Sequence, residues 1–432
     1  MLSVLFVFLT LALVMFLVFK KVNIVIASIL AAVVLALLDG QNILTAMTDT
    51  FMTGASNYVK NFFLLFFVSA LFGKVMESTG AAAAIARGLA NLLGEKYAIL
   101  GVLFAGMVLC YGGISALVIA FTMYPLALAV FKRANLPRRL IPGAIAAGCF
   151  TFAAAALPGT PQTINVTPTA YLGTTVTAAP VLGIICGVIG IAITCVYMYW
   201  EGARARAKGD NFEADAATLE ALSKADAMGA DINSIVALIP IIVIIVLLVA
   251  VKANVLLSML IGSVVCGALF FKNVKDISGM LSSAVSSAMN AAVTTGCIVG
   301  YGAVVSASTG YAVLSETLTN MNASPLIAYG LTTTILAGAA GSGTGGLAIA
   351  LNSLAPQYLA QGIPAEVLHR IGTLCAIGLD SLPHNGAVVV LLTLAGMTHK
   401  DSYKQIFVTT VVFTVLVAII GIILASIMYP IG

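Results

Sequence analysis

Long apolar runs separated by short polar stretches dominate the chain, and their lengths set what they build. A helix needs about 20 mostly apolar residues to cross a bilayer. Ten stretches predict spans: roughly 1–19, 22–38, 61–79, 140–178 (interrupted), 179–200, 233–251, 253–271, 289–313, 367–396 (interrupted) and 405–428. Two others, 97–131 and 325–359, place a polar, glycine-rich centre between two half-length apolar arms, which predicts a re-entrant hairpin in each. The first run carries its charge after the apolar core, at Lys20-Lys21. A cleaved signal peptide has the reverse order, so 1–19 is expected to stay as a first helix. The expected fold class is an all-α polytopic membrane protein of about ten spans and two hairpins.

Composition agrees with that reading and excludes others. Of the 432 residues, 61% are hydrophobic and only 8% charged, and the mean hydropathy is +1.11. Soluble domains carry about 25% charged residues, so a cytosolic enzyme and a disordered chain are excluded. The net charge of +4 is too small to point to a nucleic acid. The seven cysteines lie in apolar stretches without CxxC or zinc spacing and read as packing residues. No metal site or cofactor is expected.

The basic residues orient the spans. With 97–131 treated as a hairpin, sixteen of the 20 Lys and Arg fall on one side, which is then the cytoplasmic one. Lys60, Lys252 and Arg370 fall opposite, and both termini are expected to be extracytoplasmic. Counting 97–131 as a full crossing would scatter this pattern. The long polar segment 201–232 reads as a cytoplasmic linker, with a short helix near Ala214–Ala227.

The two sides of that linker resemble each other. Val75-Met76-Glu77-Ser78-Thr79-Gly80 aligns with Val305-Ser306-Ala307-Ser308-Thr309-Gly310. At the same offset, Tyr111-Gly112-Gly113-Ile114-Ser115 aligns with Gly341-Ser342-Gly343-Thr344-Gly345, and Leu157-Pro158 matches Leu382-Pro383 at nearly the same one. The expected organisation is a first repeat, 1–200, and a second, 233–432, each with five spans and a hairpin. Five is odd, so the second repeat is inverted. Inverted repeats with paired discontinuous helices are the pattern of alternating-access carriers.

Four places break the helices at depth: the two hairpin tips, Leu157 to Asn165, and Asp380 to Gly386. Non-helical backbone inside a bilayer is tolerated only where protein buries it or it lines a cavity. Broken helices present free N–H groups at a positive dipole end, which suits an anion. Small residues at helix contacts explain one glycine cluster but not four breaks in matching positions. Ionisable residues at depth are functional candidates. Asp380 stands four residues before His384, and the pair is a candidate for proton coupling. The competing reading makes Asp380 a cap of the next half-helix. Lys74 and Glu77 read as an ion pair near a span end, with Glu77 a lesser coupling candidate. Glu366, His369 with Arg370, and His399 read as interfacial or solvated. No GxGD or HExxH motif supports an intramembrane hydrolase.

At the four breaks the chain resembles the gluconate permease (GntP) family of the ion-transporter superfamily. Leu157-Pro158-Gly159-Thr160-Pro161 is similar to the family's proline-rich break, and Gly341-Ser342-Gly343-Thr344-Gly345 to its second hairpin. His384-Asn385-Gly386 and the turn Gly396 to Lys404 resemble its last broken helix. The resemblance implies uptake of a small organic anion such as gluconate, 3-hydroxybutyrate or a related hydroxy-carboxylate. It implies coupling to a cation, the proton first and sodium or ion exchange as the alternative. It also implies a homodimer with an elevator-like motion in a bacterial inner membrane. On this reading the substrate carboxylate sits between the hairpin tips. The expected contacts are Gly112, Gly113, Ser115, Ser342, Gly343 and Thr344 from the tips, with Thr160, Gln162, Thr163, Asn165, His384 and Asn385 from the breaks.

Overall fold

A computed structural model describes residues 2–20, 22–214, 218, 231–313, 325–383 and 385–430. Helices carry nearly all of the described chain, with no strand among the described residues. Among the described residues, six helices are long and apolar enough to cross a membrane, and the pair Ala81–Leu93 and Glu95–Tyr111 is bent by 111°. Gly94 makes that bend in the left-handed backbone region, at φ 68°.

Two of the long helices form one pair. Ile43–Ser78 runs 36 residues, with a π-helical turn at Ala46–Phe51. It starts well before the expected 61–79, because its first half mixes Thr, Asp, Ser and Asn with apolar positions and carries no continuous apolar run. It lies along Ile277–Ser306. Glycines set their spacing: a Cβ at Gly300 would stand 2.7 Å from the Phe51 carbonyl oxygen. Small residues let two backbones approach closely where lipid offers no hydrophobic drive. The helices Leu2–Phe19 and Ile24–Leu38 pack onto this pair through Val7, Leu11 and Leu35 against Tyr301 and Val304. The Thr10 hydroxyl meets the Tyr301 hydroxyl at 3.0 Å. Asp39 caps the arrangement by accepting from the Thr309 N–H at 3.0 Å.

At each of the two positions expected to form a hairpin, two helices flank a short turn. The first pair is Ala98–Tyr111 and Ala116–Arg133, and the second is Pro325–Ala340 and Gly343–Ala360. Ala116–Arg133 is itself long and apolar enough to span. Both expected interruptions are present. The first break separates Ile141–Cys149 and the short Phe152–Ala155 from Thr163–Leu172, and the second separates Ala365–Ala376 from Gly386–Leu394. The segments after the breaks pack crosswise. Thr163–Leu172 lies on the second hairpin's Gly343–Ala360, and Gly386–Leu394 lies on the first hairpin's Ala116–Arg133. The Tyr124 hydroxyl fastens the latter contact by donating to the Ala395 carbonyl at 3.1 Å.

Other elements differ from expectation as well. The helix Pro180–Ala207 continues seven residues into the supposed linker. Glu201 accounts for this, because it is buried and accepts from the Gln405 side-chain amide at 2.9 Å, tying this helix to His399–Phe407. Most of the rest of 201–232, including most of the expected short helix, lies outside the described residues. An unexpected helix, Ala81–Leu93, fills the region between the third span and the first hairpin, with its alanines buried.

Candidate functional site

The site is built on the first break. Prolines 158 and 161 remove backbone donors there, so the helix cannot continue, and the next helix restarts at Thr163. Side chains then hold the break to both hairpins. The Gln162 amide nitrogen donates to the carbonyls of Cys110 at 2.7 Å and Ile114 at 2.9 Å, on either side of the first tip. The Tyr111 hydroxyl donates to the Pro158 carbonyl at 2.8 Å. Three residues past Pro161, Ile164 touches the second tip: a Cβ on Gly343 would lie 3.1 Å from its Cδ1. The segment 160–165 thus runs from one hairpin tip to the other.

Asn165 is the hub of this break. Its amide nitrogen donates to the carbonyls of Thr160 and Val176, both at 2.9 Å. Its oxygen therefore faces donors, accepting from Arg370 Nη1 at 3.0 Å and His369 Nε2 at 3.2 Å. In a neutral ring, His369 Nδ1 then accepts from the Thr174 hydroxyl, 2.7 Å away. Arg370 is fully buried. It also donates to the Ala155 carbonyl at 2.8 Å and to the Ala178 carbonyl at 2.9 and 3.2 Å. Thr373 closes the cluster, its hydroxyl donating to the Ala155 carbonyl at 2.8 Å.

The second break holds an acid where the first holds a base. Asp380 Oδ1 accepts from the Gly343 N–H at 2.8 Å and from the Asn385 side-chain amide at 2.9 Å. Asn385 also donates to the Gly341 carbonyl at 3.0 Å, and its oxygen caps the next helix through the N–H groups of Ala387 and Val388. Ser342 caps Gly343–Ala360 through the Gly345 N–H at 3.2 Å. From outside, Tyr403 donates to the Ser381 carbonyl at 2.9 Å, and His399 Nε2 meets the Pro383 carbonyl at 2.8 Å. Asp380 thus both reaches the second tip and supports the cap of the following helix.

The helix starts differ in the same way. Ser342 and Asn385 cap their helices, whereas Ser115 and Gln162 stand at the starts of Ala116–Arg133 and Thr163–Leu172 without a side-chain cap bond. Helix starts leave orphan N–H donors and a positive dipole end. Near them, Ser115 and Thr163 are half-buried. Thr160 is fully buried and its hydroxyl has no hydrogen-bond partner, which in a native fold asks for an explanation.

A sequence profile described as GntP family permease matches residues 2–254. A relative from Bacillus subtilis (strain 168), named "Uncharacterized transporter YxjC", is 34% identical over 94% of this chain and 95% of its own length. The chain belongs to the GntP permease family. The fold of this GntP-family permease is also similar to the solved structure of the YdaH transporter from Alcanivorax borkumensis. That likeness has a TM-score of 0.59 at 16% identity, over 90% of both chains. The chain is accordingly a multi-pass membrane transporter.

Several site residues expected of this GntP-family permease are engaged within the protein. Gly112 is packed by Ile241, whose side chain a Cβ would meet at 2.8 Å. Gly113, at φ 94°, is packed by Pro161, and a Cβ there would meet that ring at 2.7 Å. The N–H of Gly343 is taken by Asp380, while Thr344 is half-buried. His384 lies outside the described residues. Glu77 pairs with Lys74 at 2.8 Å, and both are partly exposed.

The clearest correction concerns His369 and Arg370. They are not interfacial but fully buried, and they clamp the first break from a helix of the second half. Glu366 is engaged as well, accepting from the Ala179 N–H at 3.2 Å, and His399 is exposed but bonded to the second break. The available signal was the run Val367-Leu368-His369-Arg370-Ile371-Gly372, where two ionisable residues sit among apolar neighbours.

Proposed function

We propose that this permease is a secondary active symporter of a small hydroxy-carboxylate, of the size of gluconate or 3-hydroxybutyrate, driven by the proton gradient. One observation carries the reading: the two breaks hold ionisable side chains of opposite sign, Arg370 at the first and Asp380 at the second. An anion needs positive potential and free donors. The first break offers both, with the guanidinium bonded to Asn165 in the first turn of Thr163–Leu172 and that helix start uncapped by a side chain. The substrate carboxylate is assigned to this start, with Ser115, Thr160 and Thr163 as hydroxyl partners and Gln162 and Asn165 fixing the shape.

The proton is assigned to Asp380. Its carboxylate sits on the Gly343 N–H and beside Asn385, so protonation changes how the second tip is held. Ser342, Gly343, Thr344, Asn385 and His384 then form the coupling side of the site. The crosswise packing of each break on the other half's hairpin supports an inverted repeat, and with it a homodimeric carrier that moves its site as a unit in a bacterial inner membrane.

The test is uptake into proteoliposomes of a panel of short hydroxy-acids, with proton and sodium gradients imposed in turn. Accumulation driven by an inward proton gradient is expected. Stimulation by sodium alone would reassign the coupling ion, and stimulation by neither would reject symport.

A further inference from the structure

Arg370 has an unusual set of partners for a buried cation. Burying a charge is costly unless it is paired, yet among the described residues no carboxylate pairs with Arg370. All its acceptors are neutral oxygens: the carbonyls of Ala155 and Ala178 and the side chain of Asn165. The Thr373 hydroxyl lies on the same Ala155 carbonyl. Ala155 ends the short helix Phe152–Ala155, so its carbonyl lies at a negative dipole end. Converging carbonyl and amide oxygens are the kind of ligand that hard cations take. Here a side chain is the cation. A Cβ on Gly183 would lie 3.0 Å from Arg370 Nε and 2.5 Å from the Ala156 carbonyl oxygen, so the neighbouring helix closes directly over the guanidinium.

We propose that Arg370 is a tethered cation: its guanidinium permanently occupies an oxygen-lined cation site in the first break, and so supplies the charge that a bound monovalent cation would otherwise have to bring. This has two consequences. The first break is held together without any added ion. Its positive potential at the start of Thr163–Leu172 is also fixed, so an anion meets the same field whatever the sodium concentration. Arg370 acts through Asn165 and the break backbone, and is a positioning residue rather than a ligand.

The test reads stability of the purified full-length protein in detergent and uses no substrate, so it can fail independently of the transport reading. Arg370→Ala is expected to lower the melting temperature by several degrees and to regain much of that loss, saturably, in low-millimolar methylguanidinium or sodium. The unmodified protein is expected to respond to neither. The pair Arg370→Lys and Arg370→Met separates charge from packing, since both keep a long side chain but only the lysine keeps the cation. The lysine variant is expected to accumulate and melt closer to the unmodified protein. Absence of any saturable cation rescue in the folded alanine variant would overturn the proposal. So would lysine and methionine variants that are equally compromised, whether in folding or in melting.

Discussion

At the first break a guanidinium is held by the carbonyls of Ala155 and Ala178, and at the second a carboxylate is held by the N–H of Gly343. Both breaks are made of proline, glycine and short polar side chains, and both restart as a half-helix packed on the opposite hairpin. They differ in what fills the polar ends. At the second break the helix starts are already capped by Ser342 and Asn385, and Asp380 takes the N–H where an outside anion could dock. At the first break the helix starts lack such caps, and the charge nearby is positive. The same architecture thus gives one end that holds its own carboxylate and one whose nearby charge is a guanidinium. Both charges come from one stretch of chain, Arg370 on Ala365–Ala376 and Asp380 just beyond it.

The sharpest way to break the comparison is at Asn165. Asn165→Ala removes the acceptor of Arg370 and His369 and the donor to two carbonyls, all buried. Each buried polar group left without a partner costs about 1–3 kcal/mol. We expect a loss of about 3 kcal/mol, read as a lowered melting temperature and reduced amount in the membrane.

Next comes the contrast between capped and uncapped starts. Ser342→Ala removes a cap and is expected to destabilise by about 1 kcal/mol. Ser115→Ala and Thr163→Ala remove no cap bond, so they are expected to leave stability nearly unchanged while weakening uptake. Equal effects of all three on stability would erase the distinction. The smallest effect is expected at Lys74 and Glu77. Their partly exposed pair contributes about 0.5 kcal/mol, so Lys74→Ala should scarcely move the melting temperature.

Much of this layout is legible in the sequence. The tips at Gly112-Gly113 and Gly341 to Gly345, and the proline breaks at Pro158 and Pro383, all fall where apolar runs are interrupted, because turn chemistry is local. The destination of Arg370 is not local. Its side chain crosses from a helix of the second half to carbonyls about 200 positions earlier, separations of 192 and 215 residues, and nothing in a hydropathy pattern says which carbonyls converge. Gln162 illustrates the same limit. It reads as a ligand because it is an amide in a break, yet its nitrogen is already used to fasten the first tip. The helical start at Ile43 was hidden because polar residues on one face dilute the apolar signal of the other.

The central claim assigns the anion to the first break and the proton to the second, and Asp380→Asn tests it most directly. The amide keeps an oxygen to accept from Gly343 and Asn385, so the fold is expected to survive, but it cannot exchange a proton. Proteoliposomes carrying this variant are compared in two modes with the best substrate of the hydroxy-acid panel. Counterflow exchange of labelled for unlabelled substrate needs no net proton movement, whereas accumulation under an inward proton gradient does. The account predicts that exchange persists and gradient-driven accumulation is lost. Accumulation that still follows the proton gradient in the variant would contradict it.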